Sequence, residues 1–345
     1  MPTLHDTTDG IKRIGKWGGI GVGGILLLIL LFQGGSFLIK TFFPKPAPPP
    51  QQAFGKLPSI IFPEDIIKPP TSYQLDTISG NLGQFSDRSN VYKTVAPVPT
   101  LLDLQRTRAG LSSTSFITNE TYINDTQYSW NDRRRPDKKI KINIISSDFT
   151  ITSNYLLYPD IQASTLIDQT SSIAVATDFL TSLGLYPLDF DPIKTTTQLL
   201  ALQGTSLFAA SSIANAQLVR LDLFQNDLDR LPIMYPHPPN SPFYFLIGGS
   251  NTDEILEANF SHQTISTESS TYPIITAEAA YEQLKKGDAY FASYFGTSTD
   301  ISIKNVYLGY FLSETKQDFV MPIYVFEGKD GFFAYVSAIA ETSLR

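Results

Sequence analysis

Thr276-Ala-Glu-Ala-Ala-Tyr-Glu-Gln-Leu-Lys-Lys-Gly287 and the three apolar runs behind it, Ile301–Leu312, Phe319–Glu327 and Phe332–Ala338, decide the fold. Thr276 is a short hydroxyl residue suited to cap a helix over Ala277–Lys286, and Gly287 supplies its end. Asp330-Gly331, between the last two runs, is the strongest hairpin signal in the chain, because a two-residue turn needs residues that accept positive φ. One helix followed by long antiparallel hairpins, rather than single strands alternating with helices, reads as an α+β module.

The same plan recurs upstream. Ser172–Leu183 places Ile173, Ala176, Phe179, Leu180 and Leu183 on one helical face, with Gly184 as its stop. Strands are predicted near Thr197–Gln203, Gln217–Gln225, Phe243–Ile247 and Ile255–His262. Before it, Leu101–Gly110 reads as a short helix followed by strands near Ser115–Tyr122, Gln127–Asn131, Lys139–Ser146 and Phe149–Tyr155. Tyr73–Ser79 and Ser89–Pro97, with Gly80-Asn81 and Asp87 around the turn, read as an introductory hairpin. The expected division is three α+β units, residues 71–160, 161–265 and 266–345.

What precedes them sets location. Residues 17–39 carry no charged side chain, and as a helix rising about 1.5 Å per residue they span roughly 34 Å, enough for a hydrocarbon core of about 30 Å. A cleaved leader would have a shorter apolar core and a small-residue cleavage site, so the segment reads as an uncleaved transmembrane helix. Residues 1–16 form the tail on the inner side. Lys12, Arg13 and Lys16 outnumber Lys40 and Lys45, and the long polar remainder with its three N-x-S/T triplets (Asn119, Asn124, Asn259) suits export. The expectation is a single-pass cell-membrane protein, N-terminus cytoplasmic and C-terminal domain extracytoplasmic. Gly15, Gly19 and Gly23 repeat at the spacing that lets two membrane helices approach, which raises a homodimer through this helix.

Residues 40–70 read as a Pro-rich linker, extended and semi-rigid. Nine of the 23 prolines fall between positions 44 and 70. Within it Ala53-Phe-Gly-Lys-Leu-Pro-Ser-Ile-Ile-Phe-Pro63 is apolar for a linker and reads either as an arm strapped onto the folded domain or as an exposed docking motif.

Composition excludes several functions. The first 45 residues carry five Lys/Arg against two Asp, so the rest of a chain of net charge −7 carries −10. An acidic domain of that size is no nucleic-acid binder. Without Cys there is no disulfide, thiolate or Cys-held zinc, a composition that leans towards a bacterial envelope. Asp222, Asp227 and Asp229 lack EF-hand spacing, and Asp189 and Asp191 read as turn and helix-start residues. No G-x-S-x-G, Walker A or dinucleotide fingerprint occurs. Outside the tail only His237, in Tyr235-Pro-His-Pro-Pro-Asn240, and His262 are available. The expectation is therefore a protein that is not an enzyme and takes no cofactor or metal. Arg133, Arg134, Arg135, Lys138 and Lys139 stand out against the acidic remainder, either as a solvated hairpin tip or as a basic prong for anionic headgroups or an acidic partner.

Tyr272-Pro-Ile-Ile-Thr-Ala-Glu-Ala-Ala-Tyr-Glu-Gln-Leu284, Ile303-Lys-Asn-Val-Tyr-Leu-Gly-Tyr310, Met321-Pro-Ile-Tyr-Val-Phe326 and Phe333-Ala-Tyr-Val-Ser-Ala338 together resemble the last module of YycH/YycI-type envelope proteins. The resemblance covers about 70 residues, with Phe179-Leu180 and Gly184 matching further upstream and Tyr324 standing where many relatives carry Trp. It implies a single-pass, N-in protein with tandem helix-plus-antiparallel-sheet modules outside, regulating a sensor histidine kinase. On this reading the chain is a non-catalytic membrane-anchored binding or regulatory protein. Its partner would be another membrane or envelope protein, docked on Tyr307, Tyr310, Tyr324 and Tyr335. A structural or assembly component of the envelope or a secretion machine, and an envelope hydrolase using His237 as base, are the other readings.

Overall fold

The computed structural model describes residues 49–345 except 65–69, 117–118, 165–169 and 249–253. The tail, the apolar segment 17–39 and Gly15, Gly19 and Gly23 lie outside the described residues. Among those described, no helix is long and apolar enough to cross a membrane.

The chain runs through β1 (Ser72–Leu75), β2 (Arg88–Thr94), α1 (Asp103–Leu111), β3 (Thr121–Asn124), β4 (Gln127–Asn131), β5 (Lys139–Asn143) and β6 (Phe149–Thr152). There follow α2 (Pro159–Gln162), α3 (Thr170–Ser182), β7 (Thr196–Gln203), β8 (Ser206–Ala209), β9 (Leu218–Leu223), β10 (Ile233–Met234), β11 (Phe243–Gly248) and β12 (Glu254–Phe260). The last part holds β13 (Ile265–Pro273), α4 (Ala277–Lys286), β14 (Tyr290–Ser293), β15 (Asp300–Phe311), β16 (Phe319–Gly328) and β17 (Phe333–Ser337). The protein is α+β and mostly sheet.

α4 forms as its sequence dictates. The Thr276 hydroxyl accepts from the Ala279 amide at 3.2 Å, Gly287 closes the helix at φ 84°, and Ala277, Ala280 and Leu284 face inward. Asp330 (φ 55°) and Gly331 (φ 67°) make the tight β16–β17 turn. A Cβ on Gly331 would stand 2.5 Å from the ring of Phe295, an exposed side chain free to swing aside, so it is the positive φ that reserves this position for glycine.

Two sheets organise everything else. The first, wholly antiparallel, has the order β3-β4-β5-β6-β12-β11-β9-β7-β8. The second runs β1-β15-β16-β17-β14, with β2 on the start of β16, β13 beside β2, and β10 and β1 parallel to β15. Strands from the first two expected units therefore share one sheet: Phe149–Ile151 of β6 pairs with Ala258–Phe260 of β12. Left alone, β6 would show an open row of amides and carbonyls, and β12 satisfies it. The introductory hairpin does not form either. β1 joins β15 and β2 joins β13 and β16, because the long link from Asp76 to Asp87 fixes no register between them.

The central strands of both sheets are covered on both faces, and alternation sorts the side chains. In β11, Phe245 and Ile247 enter the core under α1 and α3, with Trp130, Leu111 and Leu180, while Leu246 joins Tyr155, Ile161 and Leu256 on the other face. In β16, Tyr324 and Phe326 pack under α4, while Ile323 and Val325 face the opposite side with Tyr335 and Phe311.

Among the described residues no helix packs on that opposite side; the arm lies there instead. Ile60 and Phe62 pack on it, and the Phe62 ring lies 5.3 Å from that of Tyr290 and 4.8 Å from that of Phe311. Upstream, the Gln51 amide donates to the Thr271 hydroxyl (2.9 Å) and that of Ala53 to the Ser270 hydroxyl (2.8 Å). The Phe54 amide donates to the Tyr272 hydroxyl, which in turn donates to the Gly55 carbonyl at 2.9 Å. Leu57 is fully buried and pairs in parallel with Leu344, its amide bonding Ser343 O and its carbonyl taking the Arg345 amide, both at 2.9 Å. Of the two readings of residues 53–63, the structure holds the strapped arm.

Candidate functional site

The four aromatics expected to meet a partner do not form a surface. Tyr310, Tyr324 and Tyr335 are fully buried and Tyr307 is half-buried against the arm side of the second sheet. Tyr324 Oη donates to Ile275 O (2.8 Å) and Tyr335 Oη to Tyr235 O (3.1 Å), and burial pushes the Tyr324 hydroxyl up to about 12. A strand covered on one side would have exposed every second residue, but these strands are covered on both.

Of the basic run, Arg135 and Lys138 are turned inward. The tip between β4 and β5 folds down onto the start of β12. Arg135 donates Nε and Nη2 to the two Glu254 oxygens (2.7 and 2.9 Å), reaches Asp160 with Nη2 (2.5 Å), and stacks on Tyr158 with its guanidinium 4.0 Å from the ring centre. Lys138 is inside, its ammonium 3.1 Å from Asp132 and 3.0 Å from Glu254. Asp132 also takes the Arg134 and Arg135 amides and the Ser115 hydroxyl. Burial works against ionisation of Asp132 and Glu254, but these hydrogen bonds and charges outweigh it and hold both carboxyls below the usual range. Only Arg133, Arg134 and Lys139 of the five are exposed. A local excess of Lys and Arg does not reveal that its counter-charges arrive from positions 160 and 254.

Where the chain crosses from the first sheet to the second, Ser261–Thr264 form a latch. Gln263 is buried with both side-chain ends in use: Nε2 donates to Ser313 O (2.7 Å) and Thr315 O (3.0 Å), and Oε1 accepts the Gln317 amide (3.0 Å). Lys316 ties His262 O (2.7 Å) to Asp148 (2.8 Å). The His262 ring sits among Phe190, Phe243 and Phe260, its Nε2 at 2.9 and 3.1 Å from the Asp189 oxygens. An ionised carboxylate only accepts, so Nε2 is the donor. Gln225 adds a second bond to Asp189 at 2.7 Å. Asp189 is thus more than the turn residue expected, whereas Asp191 does act as one, accepting the Ile193 amide at 2.9 Å. No sequence signal links positions 189, 225 and 262; the sheet crossover brings them together.

Burial opposes the charge on Asp189, but the bonds from His262 and Gln225 win and depress its pKa. A depressed carboxyl contributes stability that is complete above its unfolded-state value, about 3.9, and is lost as pH falls through the lower folded-state value. Asp189→Asn is therefore expected to be less stable than the parent at pH 7, with the gap closing below about pH 4. Urea midpoints across that range check this; a gap that stays constant from pH 7 to 3 defeats it.

His237 does line a cleft, of about 320 Å³, with Arg220, Asn240, Tyr244, Asn259 and Glu314 among its walls. The loop carrying it is pinned from the second sheet by Tyr335 Oη on Tyr235 O and by Tyr290 Oη on Pro236 O (3.0 Å). His237 Nδ1 is buried with no hydrogen-bond partner. Ser241 shares the cleft, yet its hydroxyl donates to Leu223 O and accepts the Phe243 amide, so it is not offered to His237 as a nucleophile. Asp222, Asp227 and Asp229, neighbours in sequence, are spent separately on Arg220, on Lys194, and on Asn90 with Tyr310.

These features define an α+β protein of two linked sheets with a polar cleft at their seam. No protein-family profile matches the chain, and no curated protein does. Among solved structures it is similar to an uncharacterized protein from Eubacterium rectale ATCC 33656, at 13% identity and TM-score 0.41, covering 74% of this chain and 84% of that one. It is also similar to the Bacillus megaterium YpeB C-terminal domain, at 12% identity and TM-score 0.33, covering 72% and 96%. Both likenesses are remote.

Proposed function

We propose that this chain is a non-catalytic, membrane-anchored extracytoplasmic binding and regulatory protein, acting on another membrane or envelope protein such as a sensor kinase. The observation that supports it most is the arm. Residues 51–62, downstream of the apolar segment, are built into the second sheet through main-chain bonds to Ser270, Thr271 and Ser343 and through the buried Leu57. A bare spacer has no reason to be folded in; a tether that must hold a domain in a defined orientation does. The resemblance of residues 272–338 to the YycH/YycI module supports the regulatory part of the reading.

The absence of Cys makes the test clean. In intact cells a membrane-impermeant maleimide is expected to label Ser211→Cys, on an exposed loop, and to spare Thr7→Cys in the tail. The reverse pattern overturns the topology. A photo-crosslinking residue scanned over exposed positions in native membranes is expected to capture one protein from one contiguous patch; capture at no position removes the binding role.

A further inference from the structure

Several groups lining the His237 cleft are held as donors to neighbours outside it. Arg220 donates Nε and Nη2 to Asp222, both at 2.8 Å. Tyr244 Oη donates to Glu257 (2.6 Å), Asn259 Nδ2 to Pro242 O (2.7 Å) and Ser241 Oγ to Leu223 O. Beside the remaining N–H groups of Arg220 and the Asn240 amide, the walls keep three acceptors. Asn259 keeps its Oδ1. The Glu314 carboxylate makes no ion pair among the described residues, while Arg220 in the same lining is paired with Asp222. A neutral imidazole with its proton on Nε2 presents His237 Nδ1 as a third acceptor, and this one is buried and unpartnered. A buried polar atom without a partner asks for one, and the rigid wall around it keeps the site formed in advance.

We propose that this cleft binds a primary ammonium group, whose three N–H donors match the acceptors Asn259 Oδ1, Glu314 and His237 Nδ1. The surplus negative charge of Glu314 selects a cation, and the volume of about 320 Å³ admits the ammonium with a short alkyl chain. Two sources carry that chemistry, a free small amine and a lysine side chain presented by a polypeptide. The proposal adds a ligand class to the binding role above, but its failure would leave the topology and crosslinking results intact.

The test is calorimetric titration of the full-length protein in detergent with cadaverine and with the peptide acetyl-Gly-Lys-Gly-amide, each against controls. Saturable binding of at least one amine is expected. The Nε-acetylated peptide, which lacks the charge, and tetramethylammonium, which lacks N–H donors, are expected to bind at least tenfold more weakly. Glu314→Gln, an exposed position that leaves the core untouched, is expected to lose at least tenfold, and His237→Phe to weaken binding as well. Tighter binding of the peptide than of cadaverine assigns the ligand to a polypeptide, and the converse to a free amine; either supports the site. No saturable heat with either amine, as for a cleft that holds water only, overturns it. So does tetramethylammonium binding equally well, or full affinity in folded Glu314→Gln.

Discussion

Lys138→Ala is expected to cost about 3–5 kcal/mol, the range for breaking a buried ion pair from one side. The ammonium sits between Asp132 and Glu254 at 3.1 and 3.0 Å and also donates to Ile255 O at 3.3 Å. Its removal leaves two carboxylates facing an apolar wall that includes the Phe116 ring. Arg135 cannot serve both, because its guanidinium is already divided between Glu254 and Asp160. Lys139→Ala, one residue on and exposed, should move the folding free energy by no more than about 0.5 kcal/mol. Urea unfolding followed by fluorescence reads both, since Trp130, next to the tip, is fully buried and is the only Trp among the described residues. Equal effects at 138 and 139 would mean that the basic run is a solvated tip after all.

Tyr335→Ala should cost a similar amount, about 3–5 kcal/mol, as for other large aromatic truncations in a core. Tyr335 is fully buried on the arm side of the second sheet, against Tyr290 and Phe311, and its hydroxyl holds the Tyr235 carbonyl. Tyr335→Phe isolates the hydroxyl and should cost about 1 kcal/mol, the net value of one such bond. Because that bond pins the loop carrying His237, the Phe variant should also speed hydrogen exchange at His237 and Asn240 while the sheet amides stay protected. Were Tyr335→Ala to keep full stability and lose only partner capture, the aromatic row would be a docking surface and the burial argument would fall.

Much of the architecture is legible in the sequence, and the failures share one cause. Local signals place α4 on its observed bounds and nearly all the strands predicted downstream of Gln127 within a few residues, because caps, alternation and Asp-Gly turns are read from neighbours. β13 escapes because Ile-Ser-Thr-Glu-Ser-Ser-Thr carries little apolar alternation; it is a strand because β2 lies beside it. The shared first sheet escapes because pairing β6 with β12 joins residues more than a hundred positions apart. The site follows the same rule. Tyr310, Tyr324 and Tyr335 look like recognition residues until both faces of their strands are known to be covered. His237 is visible as the base candidate of a rigid Pro-rich loop, but Asn259 and Glu314, which line its cleft, come from β12 and the β15–β16 link.

The strapped arm sets a length. With residues 40–70 as an extended spacer, a folded domain could stand about 95 Å from the end of the apolar segment, at roughly 3.1 Å per residue. Once Gln51 is tied to Thr271, only residues 40–50 remain to bridge that distance. At no more than about 3.5 Å each, whatever their conformation, they reach under about 40 Å. On the proposed reading of residues 17–39 as a membrane anchor, so short a leash would confine the domain to a thin shell of space next to the bilayer. On that reading partners with tall ectodomains would be engaged only near their base, and lengthening the leash by a flexible insert at residue 47 should dilute the local concentration and weaken capture without altering a single contact.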